Sequence, residues 1–234
     1  MGTAVNGHPV LALAGNPNTG KSTLFNALTG LRQHTGNWPG KTVALASGTL
    51  KYRGQEYTVV DLPGTYSLLT GSPEEEVARD FICFEEPAVT VVVTDATCLE
   101  RNLSLVLQVL EMTGRTVVCV NLIDEARRKG MHLDMDLLSR ELGVPAVATA
   151  ARNGEGLDLL MAKAHAVATG SLSTSPVPTD YGPEIEQAIA QVLPCLDHLD
   201  VNGFSRRWLA LRLLEGNPGL LRSLGRHGLG RANR

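Results

Sequence analysis

Cysteine is scarce and scattered in this 234-residue chain. Its four cysteines, Cys83, Cys98, Cys119 and Cys195, include no C-x-x-C pair. That argues against a structural zinc site and fits a reducing, cytoplasmic compartment. Cys119, inside an apolar run, reads as a small buried hydrophobe. An excess of basic charge is also missing. A net charge of −3 and a pI near 6.1 argue against a broad nucleic-acid-binding surface. No apolar run reaches the roughly 18 residues of a membrane span. Residues 1–9 lack a basic n-region, and the run at 10–14 is too short for a signal peptide. The histidines (His8, His34, His132, His165, His198 and His227) are dispersed and mark no metal-ligand cluster. What remains is ordinary globular composition, 43% hydrophobic and 19% charged, with room for one large α/β domain and a small appendage.

The chain does contain a complete phosphate-binding loop. Gly15, Asn16, Pro17, Asn18, Thr19, Gly20, Lys21 and Ser22 spell G-x-x-x-x-G-K-[ST]. The apolar run Val10–Ala14 precedes it, and a helical pattern beginning at Lys21 and running through Thr23 follows. That strand–loop–helix setting is what the motif requires. Gly15 and Gly20 let backbone N–H groups turn toward a polyphosphate. Lys21 supplies a point charge for the outer phosphates, and Ser22 a hydroxyl for Mg²⁺. The helix N-terminus behind them adds its positive dipole end.

Two more motifs end apolar strands downstream. Asp61-Leu62-Pro63-Gly64 is D-x-x-G, in which the carboxylate holds Mg²⁺ and the glycine N–H senses a γ-phosphate. Asn121-Leu122-Ile123-Asp124 is N-x-x-D. A carboxylate at Asp124 can accept two hydrogen bonds from guanine N1–H and its amine, whereas adenine would leave it unpaired. A third strand, Ala146–Ala148, leads to Thr149 and Ala150, whose backbone is expected to meet guanine O6. Each short motif is weak alone, but their order and spacing together predict GTP binding. Thr65 stands where many signalling GTPases carry a water-orienting glutamine, and no arginine is placed as an evident finger. Asn18 offers a carbonyl oxygen beside the β/γ-phosphate region. It reads equally as a ligand for a charge-neutralising monovalent cation or as a turn residue beside Pro17.

Strand–helix alternation predicts a P-loop α/β fold, a mixed sheet with helices on both faces. Segments 41–52 and 55–60 flank Arg53-Gly54, so the second strand should run antiparallel at an edge. Helices are expected near 21–30, 74–84, 100–113, 134–142 and 154–168. This G domain is read as residues 1–169 and a polar, Pro-containing linker as 170–180. Residues 181–234 read as a small helical subdomain, with apolar faces on Ile185–Leu193 and around Trp208 and a third helix beginning at 218–224. Those apolar faces should dock on the G domain or on each other. The arginines after 205 read as a solvated face.

The chain resembles the cytoplasmic N-terminal G domain of the ferrous iron transporter B family, FeoB. The resemblance lies in Gly36-Asn37-Trp38-Pro39-Gly40-Lys41-Thr42, in Asp61-Leu62-Pro63-Gly64-Thr65-Tyr66-Ser67-Leu68 and in Asp95–Leu103, D-A-T-C-L-E-R-N-L. It implies a Ras-like GTPase domain whose first switch includes Gly40, Lys41 and Thr42, with Thr42 closing on Mg²⁺. Trp38 looks like the exposed switch aromatic. By the same resemblance Asn18 supports K⁺, Lys21, Asn18 and Thr42 serve hydrolysis, and Thr65 is the usual residue where a glutamine is absent. The helical part would influence GDP affinity and relay the switch state to a transporter. That transporter is a polytopic membrane region at the bacterial inner membrane, and the chain stops at Arg234 without it, as an excised portion or a stand-alone relative. The competing reading is a ribosome-assembly or tRNA-modification GTPase, which shares the loop and N-x-x-D but normally adds a basic or aromatic RNA-binding module. A nucleotide-sensing module without useful turnover is the third class.

Overall fold

A computed structural model describes residues 4–5, 7–30, 33–37, 44–69, 72–197 and 205–216, the side chains of 4–5, 33–37 and 44 excepted. Trp38, Pro39, Gly40, Lys41 and Thr42 lie outside the described residues, as does the third helix expected at 218–224.

Among the described residues eight strands form the sheet: β1 (Ala4–Val5), β2 (His8–Gly15), β3 (Gln33–Asn37), β4 (Ala44–Tyr52), β5 (Gln55–Asp61), β6 (Val89–Asp95), β7 (Thr116–Asn121) and β8 (Ala146–Ala148). Their spatial order is β3-β4-β5-β2-β6-β7-β8, with β1 against β2. From β5 to β8 the pairing is parallel, and these strands are apolar almost without interruption because helices cover both faces. The expected hairpin is present. Tyr52 pairs with Gln55 around Arg53 (φ 48°) and Gly54 (φ 79°), a two-residue turn of the left-handed kind that matches strand twist. Beyond the antiparallel β4 the structure adds β3, also antiparallel. No strand is expected there from sequence, since Gln33–Asn37 has neither an apolar run nor alternation.

The described residues also form eight α-helices: α1 (Lys21–Thr29), α2 (Pro73–Phe84), α3 (Leu99–Met112), α4 (Ile123–Arg128), α5 (Met135–Leu142), α6 (Leu157–Ala168), α7 (Pro183–Val192) and α8 (Arg206–Leu214). The start of α2 is a full capping box. Ser72 Oγ accepts from Glu75 N–H, Glu75 accepts from Ser72 N–H, and Pro73 sits at the first helical position. The six-residue α4 is too short to carry a helical period and was not expected.

Alternation along β2 divides the core. Val10, Ala12 and Ala14 face one side with α2 and α3; Leu11 and Leu13 face the other with α1 and α6. The α7–α8 pair joins the first side, burying Ile189, Trp208, Leu209 and Leu211. It is also bonded there: Ser205 N–H donates to the Met112 carbonyl (2.8 Å) and Tyr181 Oη to the Glu111 carboxylate. The polar segment before α7 has no regular structure, yet it is tied down. Thr174 Oγ1 donates to Gly114 O, Ser175 N–H to Gly143 O (3.0 Å) and Val177 N–H to Leu142 O (3.3 Å).

Candidate guanine-nucleotide site

All five parallel strands end at one edge of the sheet, and the motifs follow from their carboxyl ends. The phosphate loop leaves β2, Asp61 closes β5, Asp95 closes β6, Asn121 closes β7, and Thr149 follows β8. Such an edge is where open α/β sheets bind ligands. Registers make the convergence concrete: Leu13 pairs with Asp61, Asp95 with Asn121 and Val120 with Ala148.

The loop turns tightly onto α1. Gly20 is left-handed (φ 78°), and a Cβ there would stand 2.4 Å from Asn121 Nδ2, so both backbone and space demand glycine. Thr19 Oγ1 donates to the Asn16 carbonyl (2.9 Å), closing the turn. Asn16 is buried, and its side-chain Oδ1 has no hydrogen-bond partner. Asn18 is exposed at φ 66°. Ser22 and Thr23 are exposed on the first turn of α1. A cleft of about 430 Å³ lies over the loop, bordered by Asn16, Pro17, Asn18, Lys21, Ser22 and Gly64 among others.

Lys21 is buried and its Nζ is shared between the Asp61 carboxylate and the Leu62 carbonyl (2.6 Å). The cation expected on the outer phosphates and the carboxylate expected on Mg²⁺ therefore meet at one point. The D-x-x-G segment is stitched to the loop's strand by Leu62 N–H on Leu13 O (3.0 Å) and Thr65 N–H on Gly15 O (3.2 Å). Thr65 is buried, Tyr66 is 51% exposed, and the Arg101 guanidinium carbon lies 5.0 Å from the Tyr66 ring centroid.

On the base side, Asn121 is a tie. Its Nδ2 donates to Thr19 O (2.9 Å), and its Oδ1 accepts from Thr149 Oγ1 (3.1 Å) and Ala151 N–H (3.0 Å). One buried amide thus joins the phosphate loop to the segment after β8. Leu122 is left-handed (φ 61°) and Ile123 buried, which turns the chain so that Asp124, half-buried, stands in the first turn of α4. The Asn153 amide donates to Asp124 Oδ2 (3.4 Å). The Thr149 and Ala150 backbone, expected to meet guanine O6, stands at this edge with both N–H groups bonded within the protein. Thr149 N–H is spent on Val120 O (2.8 Å) and Ala150 N–H on Glu155 O (3.1 Å). Ala151 and Asn153, one and three residues on, join the Thr149 hydroxyl in reaching Asn121 and Asp124. Nothing in residue type or spacing singled them out. Cys119 Sγ lies 3.1 Å from Thr149 Oγ1, and burial pushes its thiol up to about 12, which suits a packing role.

The family model for ferrous iron transport protein B matches residues 10–164, and that for the FeoB cytosolic helical domain matches 181–233. The chain belongs to the FeoB family. It is 37% identical over 225 residues to the Fe(2+) transport protein A/Fe(2+) transporter FeoB fusion protein of Porphyromonas gingivalis, and 37% identical over 214 residues to the Fe(2+) transporter FeoB of Escherichia coli K12. Those alignments take in 94% and 88% of this FeoB-family chain but 27% of either relative. Among solved structures it is similar to the cytosolic domain of T. maritima FeoB in a GDP form (TM-score 0.85, 37% identity, 96% of this chain and 88% of that one). The GMPPNP form of that domain is comparable (TM-score 0.84, 38% identity, 95% and 87%). The fold is thus that of a FeoB GTPase domain with its helical companion, and nothing favours the ribosome or tRNA alternative.

Proposed function

We propose that this chain binds and hydrolyses GTP as the regulatory domain of a prokaryotic ferrous iron uptake system, cycling between GTP and GDP states that gate Fe²⁺ movement through a membrane region of the same family. The observation carrying this reading is the convergence of the loop, D-x-x-G and N-x-x-D on one sheet edge, with Asn121 bridging Thr19 and Ala151. Residues 1–169 act as the G domain, 170–180 as a connection and 181–234 as the helical part that tunes GDP affinity. The whole would work at the cytoplasmic face of the inner membrane. Among the described residues no helix is long and apolar enough to cross a membrane.

The residues present suit the implied ions. Ser22 and Asp61, hydroxyl and carboxylate, are hard oxygen donors of the kind Mg²⁺ takes, with Thr42 joining from the first switch. Bound there, Mg²⁺ neutralises charge on the β- and γ-oxygens. Lys21, now paired with Asp61, would be free to meet the phosphates where that carboxylate holds Mg²⁺. K⁺ takes neutral oxygens, and two carboxamides border the cleft: Asn18 and the unpartnered Oδ1 of Asn16. Asn18 is the proposed K⁺ ligand, and the cation it would hold supplies charge of the kind an arginine finger supplies.

Multiple-turnover phosphate release tests this. Turnover should be faster in KCl than in NaCl at equal ionic strength, with the difference abolished in Asn18→Ala. Equal wild-type rates in both salts would remove K⁺ from the proposal, and no GTP-dependent release at all would remove hydrolysis.

A further inference from the structure

The stretch after D-x-x-G is held from a second direction. Thr65 N–H is fixed on Gly15 of the phosphate loop (3.2 Å). Three residues on, Leu68 N–H donates to Gln108 Oε1 (2.8 Å), and Ser67 Oγ donates to the same oxygen (3.3 Å). Leu68 is buried, so its amide has no water to fall back on. The Gln108 amide is itself oriented, because Nε2 reaches Ser104 Oγ one turn earlier on α3 (3.5 Å). Arg101, nearer the start of α3, stacks on Tyr66 between these anchors. Gly64 lies beside Pro17, so moving Leu68 moves the backbone that closes over the cleft. A glutamine is present after all, on a helix and not in the motif, and it holds the backbone from behind.

We propose that Gln108 is a positioning residue for GTP hydrolysis: by accepting from Leu68 N–H and Ser67 Oγ it fixes residues 64–68 in the geometry that places the attacking water. This rests on the GTPase reading above. The helix is rigid on the sheet through Leu105, Val106 and Val109, so the acceptor is pre-organised and its loss falls on the transition state. The ground-state contacts of GDP lie elsewhere, on the loop and Asp124.

Three variants test this: Gln108→Met, of similar length without an acceptor; Gln108→Asn, which draws the oxygen back by one methylene; and Gln108→Glu, which keeps an acceptor in place. The Met and Asn variants should lose about tenfold in kcat with KM for GTP and affinity for a fluorescent GDP within about twofold of wild type. The Glu variant should recover most of the rate. Wild-type kcat in both Met and Asn variants overturns the proposal, as does a loss that appears equally in GDP affinity. If the Met variant fails to fold, judged by its thermal melt, the Asn and Glu pair decides alone. No hydrolysis by wild type overturns instead the GTPase reading, since GDP affinity is measured alongside.

Discussion

On the function proposed above, Asp124 would carry base choice through its two acceptor oxygens; it is half-buried and accepts a hydrogen bond from the Asn153 amide. An asparagine there offers one acceptor and an unwanted donor to guanine, whereas xanthine presents a carbonyl that matches the new donor. Asp124→Asn should weaken GTP binding by about 2–4 kcal/mol, the worth of a desolvated charge-assisted pair, and move preference toward XTP. Competition titration of the two nucleotides checks this; a variant still preferring GTP would show that Asp124 does not read the base. The loop, Asp61 and Asp124 could be named as candidates from sequence because each is a residue type whose chemistry fixes its spacing, and the fold brings them to one sheet edge. Asn121 was legible as a motif member but not as a tie between loop and base segment, because its bond to Thr19 spans 102 residues. Ala151, Asn153 and Gln108 act through ordinary amides and have no such mark.

Among elements, those with a strong period or punctuation matched their expected bounds within a few residues: α2 behind its Ser72-Pro73 start, α3, and the β4–β5 hairpin. Strand β3 and helix α4 were not legible, since one is polar throughout and the other is under two turns, so only tertiary pairing makes them. The α7–α8 pair depends on a bidentate contact: Arg207 Nη1 and Nη2 donate to both Glu186 oxygens (2.5 and 2.6 Å), and Tyr181 N–H adds a third bond (3.2 Å). The Arg207 guanidinium foremost, then the Tyr181 amide, hold the Glu186 carboxyl down at about 2. A depressed carboxyl stabilises the fold fully above its ordinary value near 4.5, and that contribution fades as pH falls toward 2. Urea titrations at pH 6, 4 and 3 should therefore show wild type losing more stability with acid than Glu186→Gln, which has no such proton to take up. Trp208 emission reads the transition in a Trp38→Phe background. Parallel losses in both proteins would mean the pair adds nothing to folding.

At the scale of the whole molecule, the polar segment between α6 and α7 was expected only as a linker, and composition could not reveal that it is bonded along its length. Gly143 is the reason it can lie so close. Its φ is +69°, and a Cβ there would sit 1.9 Å from the Ser175 carbonyl oxygen. Gly143→Ala should cost about 2 kcal/mol or more from left-handed strain and a displaced segment, a fall in Tm of roughly 4–8 °C. Gly170→Ala, with φ +74° and open space around it, is the control and should lose only the conformational part. Equal melting shifts in the two variants would show that the segment yields freely.

The points where this segment and α8 are fastened have a mechanical meaning. Met112 and Gly114 stand just before β7, and Leu142 and Gly143 just before β8. These are the amino ends of the two strands whose carboxyl ends carry Asn121 and Thr149. A pull on the terminal helices enters the sheet at that edge and is borne along β7 and β8, stiff rods about 10–20 Å long at roughly 3.3 Å per residue. On the guanine-nucleotide reading proposed above, it would arrive at the base side of the cleft before the phosphates, so tension on α7 and α8 would loosen the grip on the base first and leave the phosphate cradle for last.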